Sequence, residues 1–469
     1  MLKEKLASEF YGKKILILGF GREGKATYEF LKNNNIDCQI AIADVNSNIS
    51  ELDGIDVFAG ENYIEAIYKK YDIVVKSPGI SYKQIDISRV TAKITSQTEL
   101  LLKHGKDKII GITGTKGKST TATLLYNMLS KKYKTKLIGN IGVAPFTVAE
   151  EWEDIDYFVY ELSCHQLENV SFSPRIAVFL NIFEEHLDHY NSYEQYIEAK
   201  RNIFKHQGAT DILLYNSFFG AKIISHNIIN SILIPMESED LFNIYERNSE
   251  IREAATINTE CHASINGRTL DIGLGDIHRN IKIPMSVKGL IGVHNLYNAM
   301  AAIVVALYLG VKEKNIFSAL EEFKGLDHRL QYIGTYNGVD YIDDSISTIP
   351  EATINGISSL SNVQTVIIGG MDRGIDYSSL YNYLVKVKIK NIVLMYETGK
   401  QIFKAIQEID NNNNVVYVEN LEEAVKVAIN CTPKGSVCLL SPAAASYGYF
   451  KNFEDRGDKF KEYIINYTK

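Results

Sequence analysis

Sulfur and proline are scarce in this chain. Eight prolines and 32 glycines among 469 residues leave no proline-rich tract and no collagen-like repeat. The five cysteines, Cys38, Cys164, Cys261, Cys431 and Cys438, form an odd, scattered set without CxxC spacing. That argues against a disulfide framework or a structural zinc and fits a reducing cytoplasm. No apolar run reaches the ~20 residues needed to span a bilayer, and Ala299 to Val311 reads as a buried helix. Met1 to Lys14 mixes charge with apolar residues and lacks the apolar segment of an export signal. Positive charge is not in excess either: 50 basic against 57 acidic residues give −7, so no global field attracts nucleic acid or an anionic membrane. What remains, 45% hydrophobic and 23% charged, is the balance of a globular protein of about three domains.

The pattern along the chain is α/β. Lys14 to Phe20 reads as a buried strand, and Gly19-Phe20-Gly21-Arg22-Glu23-Gly24 as a glycine turn into the amphipathic segment Lys25 to Asn33. A strand over Gln39 to Ala43 ends at Asp44, twenty residues after Gly24, where a dinucleotide-binding fold places its ribose acid. Asp72 to Lys76 runs into Ser77-Pro78-Gly79, so residues 1–98 read as a small doubly wound domain. A second unit, 99–325, opens with a strand at Lys108 to Thr113, a loop Gly114-Thr115-Lys116-Gly117-Lys118-Ser119-Thr120, and a helix from Ala122 to Lys131. Strands follow at Tyr157 to Tyr160, Ile176 to Leu180 and Ile212 to Tyr215, and Asn227 to Ile283 reads as a β-rich insertion. The third unit, 326–469, follows Gly325-Leu326-Asp327-His328-Arg329 and carries strands at Thr365 to Ile368, Asn391 to Met395, Val415 to Tyr417 and Val437 to Leu440.

The loop from Gly114 to Ser119 has the composition of a phosphate cradle. Its glycines let backbone N–H groups approach phosphate oxygens, a lysine neutralises them, and a serine can meet Mg²⁺. It is not a standard Walker A loop, because Ile112 stands where that pattern needs its first glycine. The GxGxxG turn and Asp44 alone are also compatible with a nicotinamide-dependent oxidoreductase, or with Asp44 as a solvated strand end. Glu161, His186 and Lys200 follow strand-like segments of the second unit and are candidate Mg²⁺ groups; singly, each reads equally as a surface charge or a satisfied histidine.

Taken together the chain resembles the Mur ligase family of cell-wall enzymes. The stretches that carry the resemblance are Ser77-Pro78-Gly79-Ile80, Gly114 to Thr120, Gly139-Asn140-Ile141-Gly142, Glu161-Leu162-Ser163 with Gln166-Leu167, Asn181 through Asp188, and Tyr196 to Lys200. They continue with Gly292-Val293-His294-Asn295, Asn298-Ala299, Gly325 to Arg329, Asp344-Ser345, Gly369-Gly370, Ser441-Pro442, Ser446 and Phe450 to Gly457.

The resemblance implies a Rossmann-like first domain, an ATPase-like central domain and a Rossmann-like third domain. It implies that Gly19, Phe20, Gly21, Arg22 and Asp44 hold the UDP end of UDP-N-acetylmuramoyl-L-alanine, with Asn140 and Ser163 facing its peptide end. ATP would lie on Gly114, Thr115, Lys116, Gly117, Lys118, Ser119, Thr120, Asn298 and Arg329. Two Mg²⁺ ions would be held by Ser119, Glu161, His186 and Lys200, the last as a carbamate. Catalysis would fall to Lys118, Lys200, His186 and Glu161, and glutamate to Thr348, Arg373, Ser446 and Phe453. The implied enzyme is a cytoplasmic, monomeric, ADP-forming amide ligase without nucleic-acid or membrane partners. The chain also departs from its family. Where the D-glutamate pattern has Asp-Ser-Lys-Ala-Thr-Asn it reads Asp344-Ser345-Ile346-Ser347-Thr348-Ile349, and Gly448 replaces the usual aspartate. These changes leave L-glutamate as the alternative substrate, and a catalytically silent ATP-binding subunit as the non-enzymatic one.

Overall fold

The computed structural model describes residues 2–49, 54–185, 189–224, 230–241, 261–287, 289–290, 292–387, 389–409 and 413–468. Helix and strand alternate through three sheets, the α/β architecture expected from the sequence. The chain divides into two compact units, Met1–Ile283 with Tyr297–Ala319, and Pro284–Leu296 with Leu320–Lys469.

The first unit holds two sheets. The smaller contains β1 (Lys14–Leu18), β2 (Gln39–Asp44), β3 (Asp56–Ala59), β4 (Ile73–Lys76) and β5 (Lys93–Thr95), all parallel in the order β3-β2-β1-β4-β5. The larger contains β6 (Ile109–Thr113), β7 (Thr135–Gly139), β8 (Tyr157–Glu161), β9 (Ile176–Phe179), β10 (Ile212–Asn216), β11 (Ile232–Ser238), β12 (Cys261–Asn266), β13 (Thr269–Leu274) and β14 (Ile277–Lys282). Its order is β14-β13-β12-β11-β10-β9-β6-β8-β7, parallel from β7 through β12. The β-rich stretch expected near residues 227–283 thus extends this sheet. Its last three strands pair antiparallel through two-residue turns that start at Gly267 (φ +56°) and Gly275 (φ +59°), a conformation glycine adopts freely. One apolar core sews the two sheets together: Phe146, from the central segment, packs on Phe10 and Phe30 at ring distances of 6.2 and 5.1 Å.

The second unit is built on β15 (Gln331–Tyr336), β16 (Val339–Asp343), β17 (Val363–Ile368), β18 (Asn391–Met395), β19 (Asn414–Val418) and β20 (Val437–Leu440). Their order is β15-β16-β20-β17-β18-β19, with β15 antiparallel at the edge. Among the described residues no helix is long and apolar enough to cross a membrane.

Candidate active site

β6 is buried along its whole length between β8 and β9, so the chain order reverses on its two flanks. Loops leaving the carboxyl ends of strands at such a point enclose the usual ligand crevice of a doubly wound sheet. Here the loop after β6 is tied to those after β8 and β9: Thr113 Oγ1 donates to the Leu162 carbonyl (2.8 Å), and the Thr115 N–H to the Asn181 carbonyl (3.0 Å). Gly117 caps the helix Lys118–Ser130 at φ +86°, and a Cβ on it would overlap the side-chain oxygen of the buried Asn298. The helix therefore starts at Lys118, four residues before the sequence suggested, because the glycine and not a side chain ends the loop. Asn298, expected at the nucleotide, packs on that glycine.

Asn181 sets the loop's shape. Its Oδ1 accepts from the backbone N–H of Thr115 (3.0 Å) and Lys116 (2.9 Å), and its Nδ2 donates to the Lys116 carbonyl (3.0 Å). Thr115 is buried, with its hydroxyl 2.8 Å from that of Tyr196. Lys118 Nζ curls back onto the carbonyls of Gly114 (3.0 Å) and Thr115 (2.9 Å), and burial lowers its pKa. Lys200 donates to the same Gly114 carbonyl at 2.9 Å. It is 1% exposed, and burial above all pulls its pKa down to about 7. Glu161, at the end of β8, is fully buried, and its charge acts on both lysines. Its Oε1 accepts from Asn140 Nδ2 at 3.0 Å, while Oε2 has no hydrogen-bond partner among the described residues.

A buried carboxylate oxygen left alone is unfavourable unless a cation or donor meets it. Glu161 Oε2 and the half-buried Ser119 hydroxyl are hard oxygen donors of the kind Mg²⁺ takes. Among the described residues no group of three or more His, Cys, Asp and Glu side chains is placed to hold a metal ion. His186 lies outside the described residues. Thr120 is buried in the first helical turn; Lys116 is exposed and paired with Glu185.

A second crevice lies at the reversal between β1 and β4. Gly19 takes φ +91° against Ser77, whose hydroxyl donates to the Gly19 carbonyl at 2.9 Å. Asp44 accepts from the N–H of Phe20 and, at 2.8 Å, from that of Asn46, so it shapes the turn as well as bordering the crevice. The Arg22 guanidinium, behind the exposed Gly21, bonds the carbonyls of Gly139 and Gly142, flanking Asn140. Ser163 caps the helix Cys164–Leu167 in a reciprocal box with Gln166.

In the second unit Arg373 is exposed and donates from Nη2 to the Thr348 carbonyl (3.0 Å), which brings two of the expected glutamate residues together. Ser446 is buried, with its carbonyl accepting from Phe450 N, and Phe453 opens the helix Phe453–Thr468. Ile346 is half-buried beside them in sequence; Arg329 is exposed. Sequence reasoning gave no role to the fully buried Arg456. It donates to Ser345 Oγ (3.0 Å), the Ser345 carbonyl (2.8 Å) and the Ala444 carbonyl (3.0 Å). Nor did it give one to His328, whose Nδ1 lies 2.7 Å from Asp343 Oδ2, or to Asn181. The only sequence signal for all three was their position inside resemblance stretches or next to one.

Two family models match this chain, the Mur ligase middle domain over residues 112–306 and the Mur ligase glutamate ligase domain over residues 328–444. A UDP-N-acetylmuramoylalanine–D-glutamate ligase from a Geobacillus species is 34% identical over 463 residues, covering 96% of each chain. The ligase of that name from Acetivibrio thermocellus is 32% identical, covering 97% of this chain and 96% of its own. Among solved structures, a UDP-N-acetylmuramate-alanine ligase from Thermotoga maritima superposes with a TM-score of 0.52 at 20% identity, over 97% of this chain and 100% of its own. A UDP-N-acetylmuramoyl-L-alanyl-D-glutamate–2,6-diaminopimelate ligase superposes with a TM-score of 0.55 at 15% identity, over 98% and 93%. With the phosphate loop, the two crevices and relatives matched nearly end to end, the chain belongs to the Mur ligase family.

Proposed function

We propose that this protein is an ATP-dependent, ADP-forming ligase that adds D-glutamate to UDP-N-acetylmuramoyl-L-alanine in peptidoglycan precursor synthesis. The observation that carries the reading is the convergence of Lys118 and Lys200 on the Gly114 carbonyl, beside the buried, half-satisfied carboxylate of Glu161. The names of the relatives that match nearly end to end support the choice of D-glutamate.

A carboxylate does not condense with an amine unaided. An oxygen of the alanyl carboxylate attacks the γ-phosphorus, the bond to ADP breaks, and an acyl phosphate forms. The glutamate amine then attacks the acyl carbon, phosphate departs with the bonding pair, and the amine nitrogen loses a proton. Lys118 swings from the loop carbonyls onto the phosphoryl oxygens, where its charge is worth most in a water-poor crevice. Gly114, Thr115, Lys116, Gly117, Ser119 and Thr120 cradle the phosphates, and Asn298 and Arg329 contact the nucleotide. Gly19, Phe20, Gly21, Arg22 and Asp44 take the UDP end, and Asn140 and Ser163 the peptide end. Thr348, Arg373, Ser446 and Phe453 take glutamate.

Ser119, Glu161, His186 and a carbamoylated Lys200 would hold two Mg²⁺ ions, which supply charge neutralisation at the γ-phosphate when bound. Burial that favours the neutral Lys200 amine keeps its lone pair available to CO₂: an N–C bond forms as a C=O π bond opens onto oxygen, a proton leaves the nitrogen, and an anionic oxygen stands at the end of the side chain. The proposed division is a UDP-substrate domain at 1–98, an ATP domain at 99–325 and a glutamate domain at 326–469, in a cytoplasmic monomer without nucleic-acid or membrane partners. Incubation with ATP and UDP-N-acetylmuramoyl-L-alanine in hydroxylamine, without glutamate, should yield the alanyl hydroxamate. Turnover with glutamate but no trapped hydroxamate would contradict the acyl-phosphate route.

A further inference from the structure

Glu23 is the last of the three variable residues of the GxGxxG turn, and the second of the helix Arg22–Asn33. Its neighbours Gly21 and Arg22 are exposed, but Glu23 is only 8% exposed and turned inward. Oε1 accepts from Gln166 Nε2 at 2.8 Å, and Oε2 has no hydrogen-bond partner among the described residues. A carboxylate is an unusual choice for such a place, since leaving water is unfavourable for it and only one of its oxygens is bonded.

What the carboxylate does follows from the geometry of Gln166. An amide has one accepting and one donating end, and a carboxylate facing it accepts only. Glu23 therefore fixes which way the amide points: Nε2 toward Glu23, Oε1 toward Ser163, whose N–H it accepts at 3.1 Å. That second bond is half of the capping box that starts the helix Cys164–Leu167, and Ser163 stands two residues after Glu161. The same stretch of chain is gripped on two more sides. Gln97 Nε2 donates to the Glu23 carbonyl (2.7 Å) and to Thr27 Oγ1 (2.8 Å), and the adjacent Arg22 guanidinium bonds the carbonyls of Gly139 and Gly142.

We propose that Glu23 is a positioning residue: through Gln166 it orients the Ser163 turn, and so fixes the turn that would face the peptide end of the UDP substrate relative to the glycine turn that would hold its UDP end. The inference rests on the substrate reading above only for the identity of the ligand; the Glu23–Gln166–Ser163 chain itself stands on the structure. One substrate spanning both turns gains from a fixed spacing between them, whereas ATP on the loop 114–120 does not depend on it. Glu23→Ala leaves the Gln166 amide free to flip. Glu23→Gln can still present an oxygen to Nε2.

The test has two readouts. In hydrogen–deuterium exchange of the ligand-free protein, Glu23→Ala should exchange faster than wild type in the peptide covering 161–167, and Glu23→Gln should match wild type. In steady-state kinetics Glu23→Ala should raise KM for UDP-N-acetylmuramoyl-L-alanine about tenfold, with KM for ATP within about twofold, and Glu23→Gln should restore it. Combining Glu23→Ala with Gln166→Ala should add nothing to the KM of Gln166→Ala alone, because Glu23 acts only through the Gln166 amide. Unchanged exchange in Glu23→Ala, equal shifts in both KM values, or additive effects in the double variant would overturn the proposal. If wild type does not turn over this substrate, the functional reading falls while the exchange experiment still decides the role of Glu23.

Discussion

The phosphate loop of the first unit and the glutamate residues of the second are organised in opposite ways. Around β6 the side chains of the proposed site are themselves buried and bonded: Lys200 is 1% exposed, Glu161 is fully buried, and the Asn181 side chain brackets the loop with three hydrogen bonds. In the second unit the residue expected to meet glutamate, Arg373, is exposed and held by a single backbone carbonyl, while the buried residues Arg456, Ser345, Asp343 and His328 are bonded to one another. A site for a single unvarying ligand, as proposed for ATP on the loop, can be rigid. The amino acid named differs among the relatives above, and exposed contacts such as those proposed for glutamate could change without unfolding the unit. Ile346 and Gly448, the two departures from the family pattern, lie on that variable side.

The largest expected effect breaks the buried half of the comparison. Lys118→Ala removes the cation proposed to meet the phosphate and leaves the backbone cradle in place, so kcat should fall by about a hundredfold to a thousandfold with little change in Tm. Full activity in a folded Lys118→Ala protein would refute the phosphate-loop assignment. Next comes the buried, bonded group of the second unit. Arg456→Met would leave the Ser345 and Ala444 carbonyls buried without their donor, a loss of about 3 kcal/mol or more, visible in urea unfolding of the full chain. A midpoint equal to wild type would show that Arg456 supports nothing.

Smaller effects sharpen the contrast. If Thr348 and Arg373 take glutamate as proposed, Ile346→Lys adds a cation two residues from Thr348, so KM for D-glutamate should fall severalfold while KM for ATP stays put. A rise in glutamate KM would place residue 346 outside the pocket. The smallest is a pH effect on His328. Burial works to lower its pKa, but the hydrogen bond and charge of Asp343 outweigh it and hold the imidazole above its ordinary value of 6.5. A base raised in the folded state binds more protons there than when unfolded. Its contribution is complete below pH 6.5 and is lost as pH rises above that value through the folded pKa. His328→Asn tolerates the left-handed φ of +61° and lacks the titration, so its Tm deficit should shrink between pH 6 and pH 8. A pH-independent deficit would count against a charged His328.

The sequence made these regions legible to different depths. The strand, glycine loop and helix at 108–131 are contiguous, so composition and period alone placed the cradle. Glu161 and Lys200 reach the same loop from β8 and from a separate helix, and only the family pattern joined them. Five strands escaped notice: β3, β5, β7 and the antiparallel pair β15–β16 that opens the sheet of the second unit. β5 has three residues, β3 has four and is flanked by polar chain, and β7 is an edge strand whose first half is partly exposed. Arg456 and Asn181 escaped because most of their partners are backbone groups brought to them by the fold, which no local period encodes. A charged residue inside an amphipathic helix reads as solvated until the fold buries it.

The central claim, that one crevice activates a UDP-linked carboxylate with ATP for attack by D-glutamate, is tested most directly by following phosphate release with ATP, UDP-N-acetylmuramoyl-L-alanine and each glutamate enantiomer, with the product's configuration determined. The account expects sustained release only when ATP, the UDP substrate and D-glutamate are all present, with D-glutamyl product. Sustained release that needs neither the UDP substrate nor glutamate, or product formed from L-glutamate alone, would contradict it.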